Sequence, residues 1–281
     1  MSIDVHPPMP AVRDVVARAL AEDVLPLGDL SAGLVPNHAR ARACFVSRGE
    51  GVLAGRLCAA EVFAQVDPEV KVDWHLDDGD LVTPRTVIAV VGGPLRAILT
   101  AERSALNLLS HLSGVASVTR AYVRAVAGTG VRILDTRKTT PGLRALEKAA
   151  VRAGGGHNHR GNLSEFVLVK DNHLAGISIT EAVHRAIAQW PMRMVGVECD
   201  RLEQVQEAVA AGAGAVLLDN MAPEAVAEAV AEVGGRISVE VSGGVTLGNA
   251  RSYADAGPNF ISVGAITASA PAFDIGLDLE A

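Results

Sequence analysis

The chain has 281 residues, 49% of them hydrophobic and only 3% aromatic, with a formal net charge of -7 at pH 7. This length and apolar share allow a large buried core, in one big domain or two modest ones. The acidic balance and scarcity of aromatics exclude the basic, stacking face of a nucleic-acid binder, and no apolar run is long enough to span a membrane.

The opening MSIDVHPPMP lacks the basic-then-apolar pattern of a secretory signal, so a cytoplasmic location is expected. Cys44, Cys58 and Cys199 neither pair evenly nor show metal-ligand spacing, and they read as buried thiols in a reducing compartment. A helical stretch is expected from Val12 to Glu22, followed by a cap or turn at Gly28-Asp29-Leu30-Ser31. Short β-rich segments follow near Ala43–Ser47 and Lys71–His75. In DDGDLVTPRTVIAVVGG, Asp78-Gly79 and Thr83-Pro84 punctuate strand-like runs. That pattern resembles the hammerhead hairpins of biotinyl and lipoyl carriers. No Lys lies between 76 and 99 to be modified, so it reads as a structural β-layer.

Apolar residues recur at helical spacing over 97–125, with Gly114 as an interruption, and the chain changes character near residue 112. Beyond that point strand-like runs alternate with Ala-rich helical segments. The runs are VRILD (131–135), FVLVK (166–170), MRMVGVE (192–198), AVLLD (215–219), RISVE (236–240) and FISVG (260–264). Near-continuous apolar strands separated by helices indicate buried parallel strands in βα units, and six of them suggest an incomplete α/β barrel. The expected division is an N-terminal α/β domain over 1–112, a barrel over 113–270, and a tail over 271–281 returning to the first domain.

In a barrel of this kind the chemistry sits at the C-terminal ends of the strands, where the charged residues fall. The first two strands deliver Arg137, Lys138 and Lys170, with His159 and Arg160 on the connection between them. Arginine forks match carboxylate or phosphate, and lysine acts as a point charge. Arg144, Lys148 and Arg152, at i, i+4 and i+8 after Pro141-Gly142, form a stripe that reads as a solvated helix face, with a site role as the alternative. Strands three and four deliver Glu198, with Asp200 nearby, and Asp219. Two carboxylates on adjacent strand ends suit Mg²⁺, and an ion pair of Glu198 with Lys170 is the structural alternative. Glu240 is a weaker candidate. Ser242-Gly243-Gly244 and Gly264-Ala265 follow the last two strands, where late barrel loops cradle phosphate. Together these residues describe a site for a phosphorylated sugar, a metal and a second anion.

The segments DTRKTTPGLRALEKAAVRAGGGHNHR, LVKDNH, LLDN and VSGGVT, with TAERSALNLLSHLSGVAS upstream, resemble quinolinate phosphoribosyltransferases, also called nicotinate-nucleotide pyrophosphorylases (carboxylating). The resemblance spans roughly residues 100 to 270. It implies an α/β N-terminal layer with an incomplete six- or seven-stranded α/β barrel. The implied reaction joins quinolinate to phosphoribosyl pyrophosphate, giving nicotinate mononucleotide, pyrophosphate and CO₂ with Mg²⁺, in NAD biosynthesis. The resemblance also implies a homodimer in which Arg103 enters the partner's site. Carried over by motif, Arg137, Lys138, His159, Arg160 and Lys170, with Arg103 from the neighbour, line the acid pocket and its pyrophosphate edge. Thr136 of the TRKT motif joins the substrate-binding set. Glu198 and Asp219 address the ribose hydroxyls and the metal, and Ser242, Gly243, Gly244, Gly264 and Ala265 hold the 5-phosphate. The chain departs from the family pattern at Ala268, where a histidine is common, so one phosphate contact is either absent or supplied by Thr267 or Ser269. A paralogous phosphoribosyltransferase of the same fold, a barrel aldolase using Lys170 as Schiff-base nucleophile, and a non-enzymatic scaffold are the competing readings.

Overall fold

A computed structural model describes residues 4–280. In chain order the elements begin with α1 (Met9–Val24), β1 (Arg40–Ser47), β2 (Gly51–Val52), α2 (Arg56–Val66), β3 (Lys71–Trp74), β4 (Leu81–Val82), β5 (Val87–Pro94) and α3 (Leu95–Ala125). They continue with β6 (Arg132–Leu134), α4 (Arg144–Ala153), β7 (Val167–Val169), α5 (Ile179–Gln189), β8 (Val195–Cys199), α6 (Leu202–Ala210) and β9 (Ala215–Asp219). The last are α7 (Pro223–Val233), β10 (Ser238–Ser242), α8 (Ala250–Asp255), β11 (Phe260–Ser262), α9 (Ala265–Ala268) and β12 (Ile275–Leu279).

Two compact units result. The first takes the chain through Arg120, then Thr139–Gly155, then everything from Ala265 on; the second takes Ala121–Lys138 and Gly156–Gly264. The compact units therefore do not follow a single cut in the sequence. The division falls inside α3, and α4 leaves the barrel strands to join the first unit.

The first unit is built on an antiparallel sheet of order β12-β1-β5-β3. Alternation along β1 turns Ala43, Phe45 and Ser47 inward. Phe45 stacks on Trp74 at 6.0 Å between ring centroids and meets Phe63 edge-on at 6.1 Å, which ties the sheet to α2. The expected return of the C-terminal tail takes a concrete form, since β12 pairs with β1 from Ala43↔Leu279 to Ser47↔Ile275.

Helix α3 runs through Gly114 without a break, contrary to the interruption that glycine suggests. A Cβ at Gly114 would stand 2.1 Å from the carbonyl oxygen of Pro271 and 3.4 Å from Cα of Ala272. The glycine is there to let the C-terminal segment lie against the helix backbone, and tertiary packing outweighs its poor helix propensity.

The stripe on α4 is not a solvated face either. Lys148 is 6% exposed, and Glu147 beside it is fully buried. Arg144 Nε donates to Thr139 Oγ1 at 3.0 Å. Arg152 donates from Nε to the Asp4 carbonyl at 2.6 Å and from Nη2 to the His6 carbonyl at 2.9 Å. A periodic pattern of cations says which side chains share a face, but not what covers that face. Here the N-terminal segment and the 139–140 loop cover it.

The second unit carries a six-stranded parallel sheet of order β6-β11-β10-β9-β8-β7. Chain order follows space order from β7 to β11, and β6 then joins the far edge. This is a barrel left open between β6 and β7, as the six apolar runs suggested. Val195, Val197, Val216, Leu218, Val239, Val241 and Ile261 are buried on the helix-covered face of this sheet, alternating with the residues that face the barrel interior. On the β6 side the backbone of His157 partly dresses the edge. Its amide donates to Ile133 and its carbonyl accepts from Asp135, at 2.8 and 3.1 Å. Cys58 and Cys199 are buried free thiols, each pushed up to about 12 chiefly by desolvation, and Cys44 is free and half-buried. Among the described residues no helix is long and apolar enough to cross a membrane.

The Gly114 contact makes a sharp prediction. In an ordinary helix Gly→Ala stabilises by roughly 0.5–1 kcal/mol, whereas a Cβ forced onto backbone costs about 1–3 kcal/mol. Gly114→Ala is therefore expected to lower the urea midpoint of unfolding; an unchanged or raised midpoint would contradict the close approach.

Candidate active site

The C-terminal ends of the barrel strands enclose a cavity of about 320 Å³ that lies wholly within the second unit. The loop after β6 contributes Thr136, Arg137 and Lys138. The connection to β7 contributes His159 and Arg160, and the strand ends contribute Lys170, Glu198, Asp219, Glu240, Ser242 and Ser262. Leu168 and Leu217, one turn of the pleat deeper, make the apolar floor. Polar chemistry thus begins where strand gives way to loop.

The cations are held close to one another. Arg160 is 9% exposed, and its guanidinium is pushed below its usual range, first by burial and then by the positive charge of Arg137. Glu165 and Glu240 partly offset this. A guanidinium stays charged in proteins, so an anion entering this space relieves the repulsion between the two arginines. Arg160 is fixed by a hydrogen bond from Nη1 to the Phe166 carbonyl at 3.1 Å and by packing 5.3 Å over the Phe166 ring.

The segment carrying His159 and Arg160 is fastened by a carboxylate that has no sequence motif of its own. Asp135 at the end of β6 is fully buried. Its Oδ1 accepts from the His159 amide at 2.9 Å and its Oδ2 from Asn158 Nδ2 at 2.5 Å. The clue available in the sequence is its place as the charged residue ending an apolar strand. Charge-assisted bonds of this kind are the strong ones, and burial makes them costly to lose.

Opposite the cations stand the carboxylates of β8 and β9. Lys170 Nζ is hydrogen-bonded to Glu198 Oε2, so the ion pair weighed as the structural alternative is present. The Lys170 side chain is 41% exposed, and a competing ligand can reach it. Asp219 ends β9 and accepts from Asn220 Nδ2 at 2.7 Å. Asn220 takes a left-handed φ of 55° and donates its amide to the Ser242 carbonyl at 2.9 Å. Among the described residues no three His, Cys, Asp or Glu side chains converge on a metal position. The protein therefore has no cage of its own. Its donor set of one or two carboxylates fits Mg²⁺, which keeps several waters and takes substrate phosphate oxygens.

Gly243 explains one of the two glycine pairs. Its φ is +86°, and a Cβ there would fall 2.3 Å from Asn220 Oδ1 and 2.9 Å from the Asn220 amide nitrogen. It is pinned by the residue that holds Asp219, which links the LLDN and VSGG segments. Gly244, at φ +62°, has open space around its Cβ direction. A Cβ at Gly264 would stand 2.9 Å from Lys138 Cδ. Gly243, Gly244 and Gly264 flank the cavity-lining residues without being in the wall. Arg103, exposed on α3, and Ala265, at the start of α9, belong to the first unit.

Residues 14–113 match the family description "Quinolinate phosphoribosyl transferase, N-terminal domain", and residues 115–278 match its C-terminal domain. The chain belongs to the quinolinate phosphoribosyltransferase family. It is 41% identical over 254 residues to a probable nicotinate-nucleotide pyrophosphorylase (carboxylating) of Bacillus subtilis, covering 90% of this chain and 88% of that one. It is 42% identical over 278 residues to the nicotinate-nucleotide pyrophosphorylase (carboxylating) of Mycobacterium leprae, covering 96% and 97%. Among solved structures, the nicotinate-nucleotide pyrophosphorylase from Francisella tularensis superposes with a TM-score of 0.94 at 37% identity, over 99% of both chains. Family membership and the α/β fold with its parallel barrel thus agree with the motifs that suggested them.

The two glycines of the quinolinate phosphoribosyltransferase VSGG segment are expected to behave differently. Gly243→Ala displaces Asn220 and with it Asp219, and should lower kcat/KM on the order of tenfold to a hundredfold. Gly244→Ala incurs mainly the left-handed backbone cost of roughly 1–2 kcal/mol. Steady-state rates of the two purified variants check this, and equal losses would contradict the Asn220 contact.

Proposed function

We propose that this chain transfers the phosphoribosyl group of phosphoribosyl pyrophosphate to quinolinate and decarboxylates the adduct. The products are nicotinate mononucleotide, pyrophosphate and CO₂, in NAD biosynthesis. The observation that carries this is the single cavity in which Arg137, Lys138, Arg160 and Lys170 face Glu198 and Asp219. Quinolinate brings two adjacent carboxylates, and a charge-assisted hydrogen bond to each is worth roughly 1.5–3 kcal/mol. Arg137 and Arg160 bind that dianion and are relieved of their mutual repulsion by it. Leu168 and Leu217 receive the flat face of the ring and exclude water.

Phosphoribosyl pyrophosphate lies across the later strands. Asp219, held by Asn220, and Glu198 address the ribose hydroxyls, while Ser242, Gly243, Gly244, Gly264 and Ala265 offer donors to the 5-phosphate. Lys138 and Lys170 compensate the negative charge that grows on the departing pyrophosphate. Glu198 and Asp219 would hold Mg²⁺, which would supply further charge compensation for the leaving group. As the C–O bond breaks, the anomeric carbon becomes oxocarbenium-like, and the pyridine nitrogen attacks it. The nitrogen is then cationic and accepts the electron pair left when the adjacent carboxylate departs as CO₂. The substrate provides its own electron sink, and the protein's share is positioning and charge balance.

The active assembly is a homodimer in which Arg103 of one subunit completes the other's acid pocket. Its exposure on α3 and its place in the TAERSALN segment support this reading. The three free thiols support a reducing, cytoplasmic setting.

Incubation with quinolinate, phosphoribosyl pyrophosphate and Mg²⁺ should yield nicotinate mononucleotide and CO₂ in equal amounts. Turnover of nicotinate but not quinolinate would overturn the substrate assignment in favour of a paralogous transferase of the same fold. Mixing Arg103→Ala with Arg137→Ala subunits should restore part of the activity that each lacks alone. Inactive mixtures, once subunit exchange is verified by mass, would exclude a site completed in trans.

A further inference from the structure

The cavity wall contains a chain of three side chains that the proposed transfer does not use. Ser262, at the end of β11, is 3% exposed, and its hydroxyl donates to Glu240 Oε1. The other oxygen of Glu240, Oε2, lies 3.2 Å from His159 Nε2, and the two side chains are only 9% and 11% exposed. On the far side of the imidazole, Nδ1 accepts the Arg160 amide at 2.8 Å. A ring nitrogen that accepts an N–H carries no proton of its own, so the neutral ring bears its hydrogen on Nε2, directed at Glu240. The Phe166 ring, 5.0 Å from the imidazole, limits the remaining freedom of the plane.

We propose that Glu240 and Ser262 are positioning residues. They fix the tautomer and orientation of His159, and through the Nδ1 contact they fix the backbone from which the Arg160 guanidinium reaches the acid substrate. The inference rests on the reading of this cavity as an aromatic-acid site. Each link has its own structural reason. Glu240 sits inside β10, paired with Phe260 on one side and Leu217 on the other, so its side chain cannot swing away. Ser262 is the residue of β11 two positions beyond Phe260, on the same face of the sheet. Asp135 holds the backbone of His159, and Glu240 holds its ring. The segment is thereby fastened at two points, from the edge strand β6 and from β10 two strands in. With both ring nitrogens engaged within the protein, His159 serves as a spacer and clamp rather than as the proton carrier its residue type suggests.

The two oxygens of Glu240 do different things, and this makes the proposal separable from a direct role for its charge. A glutamine at 240 accepts from His159 Nε2 through Oε1 and donates its amide to the Ser262 oxygen, keeping the geometry without the charge. A ligand to a metal or to a cationic transition state would not survive that change. We expect Glu240→Ala to raise KM for quinolinate about tenfold or more, with KM for phosphoribosyl pyrophosphate within about twofold, and Glu240→Gln to recover most of that loss. Ser262→Ala should act in the same direction by a smaller factor. The double variant Glu240→Ala/Ser262→Ala should be no worse than Glu240→Ala alone, because one link is already broken.

Independently of turnover, ¹⁵N-resolved spectra of the imidazoles should show His159 as the Nε2–H tautomer in the unmutated protein and in Glu240→Gln. Should Glu240→Ala fail to fold, Glu240→Gln and Ser262→Ala carry the same test. A Glu240→Gln variant as impaired as Glu240→Ala would overturn the proposal and assign Glu240 a direct charge role. So would an Nδ1–H tautomer in the unmutated protein. A correct tautomer in a protein that does not turn over quinolinate would leave the clamp standing and count against the substrate assignment instead.

Discussion

Repulsion between Arg137 and Arg160 is the constraint around which the site is arranged. Two guanidinium groups brought together in a partly buried pocket are unfavourable, and Arg160 is pushed below its usual range first by burial and then by the charge of Arg137. The fold meets part of the cost locally with the carboxylates of Glu165 and Glu240. An incoming anion adds to that compensation. Such a pocket favours the ligand with the most compact negative charge, which suits an acid bearing two neighbouring carboxylates better than one bearing a single carboxylate.

The same constraint explains the division of labour among the barrel strands. Cations come from the loop after β6, the following connection and the end of β7; carboxylates come from β8, β9 and β10; the hydroxyls of Ser242 and Ser262 come from the ends of β10 and β11. Because the strands run in sequence order around the opening, charge changes sign along the rim instead of alternating. A substrate that is anionic at one end and bears hydroxyls at the other is oriented before any bond changes. Lys170 and Glu198 meet where the two arcs join. Their pairing keeps both side chains extended toward the cavity, where either can be exchanged for a substrate contact.

Much of this was legible in the sequence, for a physical reason. Lys170, Glu198 and Asp219 end apolar runs, and a parallel strand buried on both faces tolerates charge best toward its C-terminal end. Reading the ends of the strands was therefore reading the site. His159 and Arg160 stand out as cations on the connection between two strands, and the family motifs assign them to the acid pocket. Other features were invisible because they depend on what a residue touches. Gly114 is a poor helix residue by propensity and a required one by its contact with Pro271. Arg152 has the spacing of a solvated stripe, yet it is bound to the backbone at Asp4 and His6. Asn220 and Ser262 are unremarkable polar residues until their partners, Gly243 and Glu240, are seen. Asp135 lay in plain view as a strand-ending charge, but its role is inward, toward the protein's own amides.

The pairing of β1 with β12 has a consequence for how the chain comes to be folded at all. Ala43 and Leu279 are register partners although nearly the whole chain separates them. During synthesis β1 emerges early and waits, with one edge unpaired, until the final strand leaves the ribosome. The six barrel strands, all complete by Ser262, can meanwhile collapse on one another in the order they appear. The catalytic unit is thus the part able to form during translation, and the first unit's sheet is closed last, by long-range contacts that are slow to make and leave an exposed edge until they form.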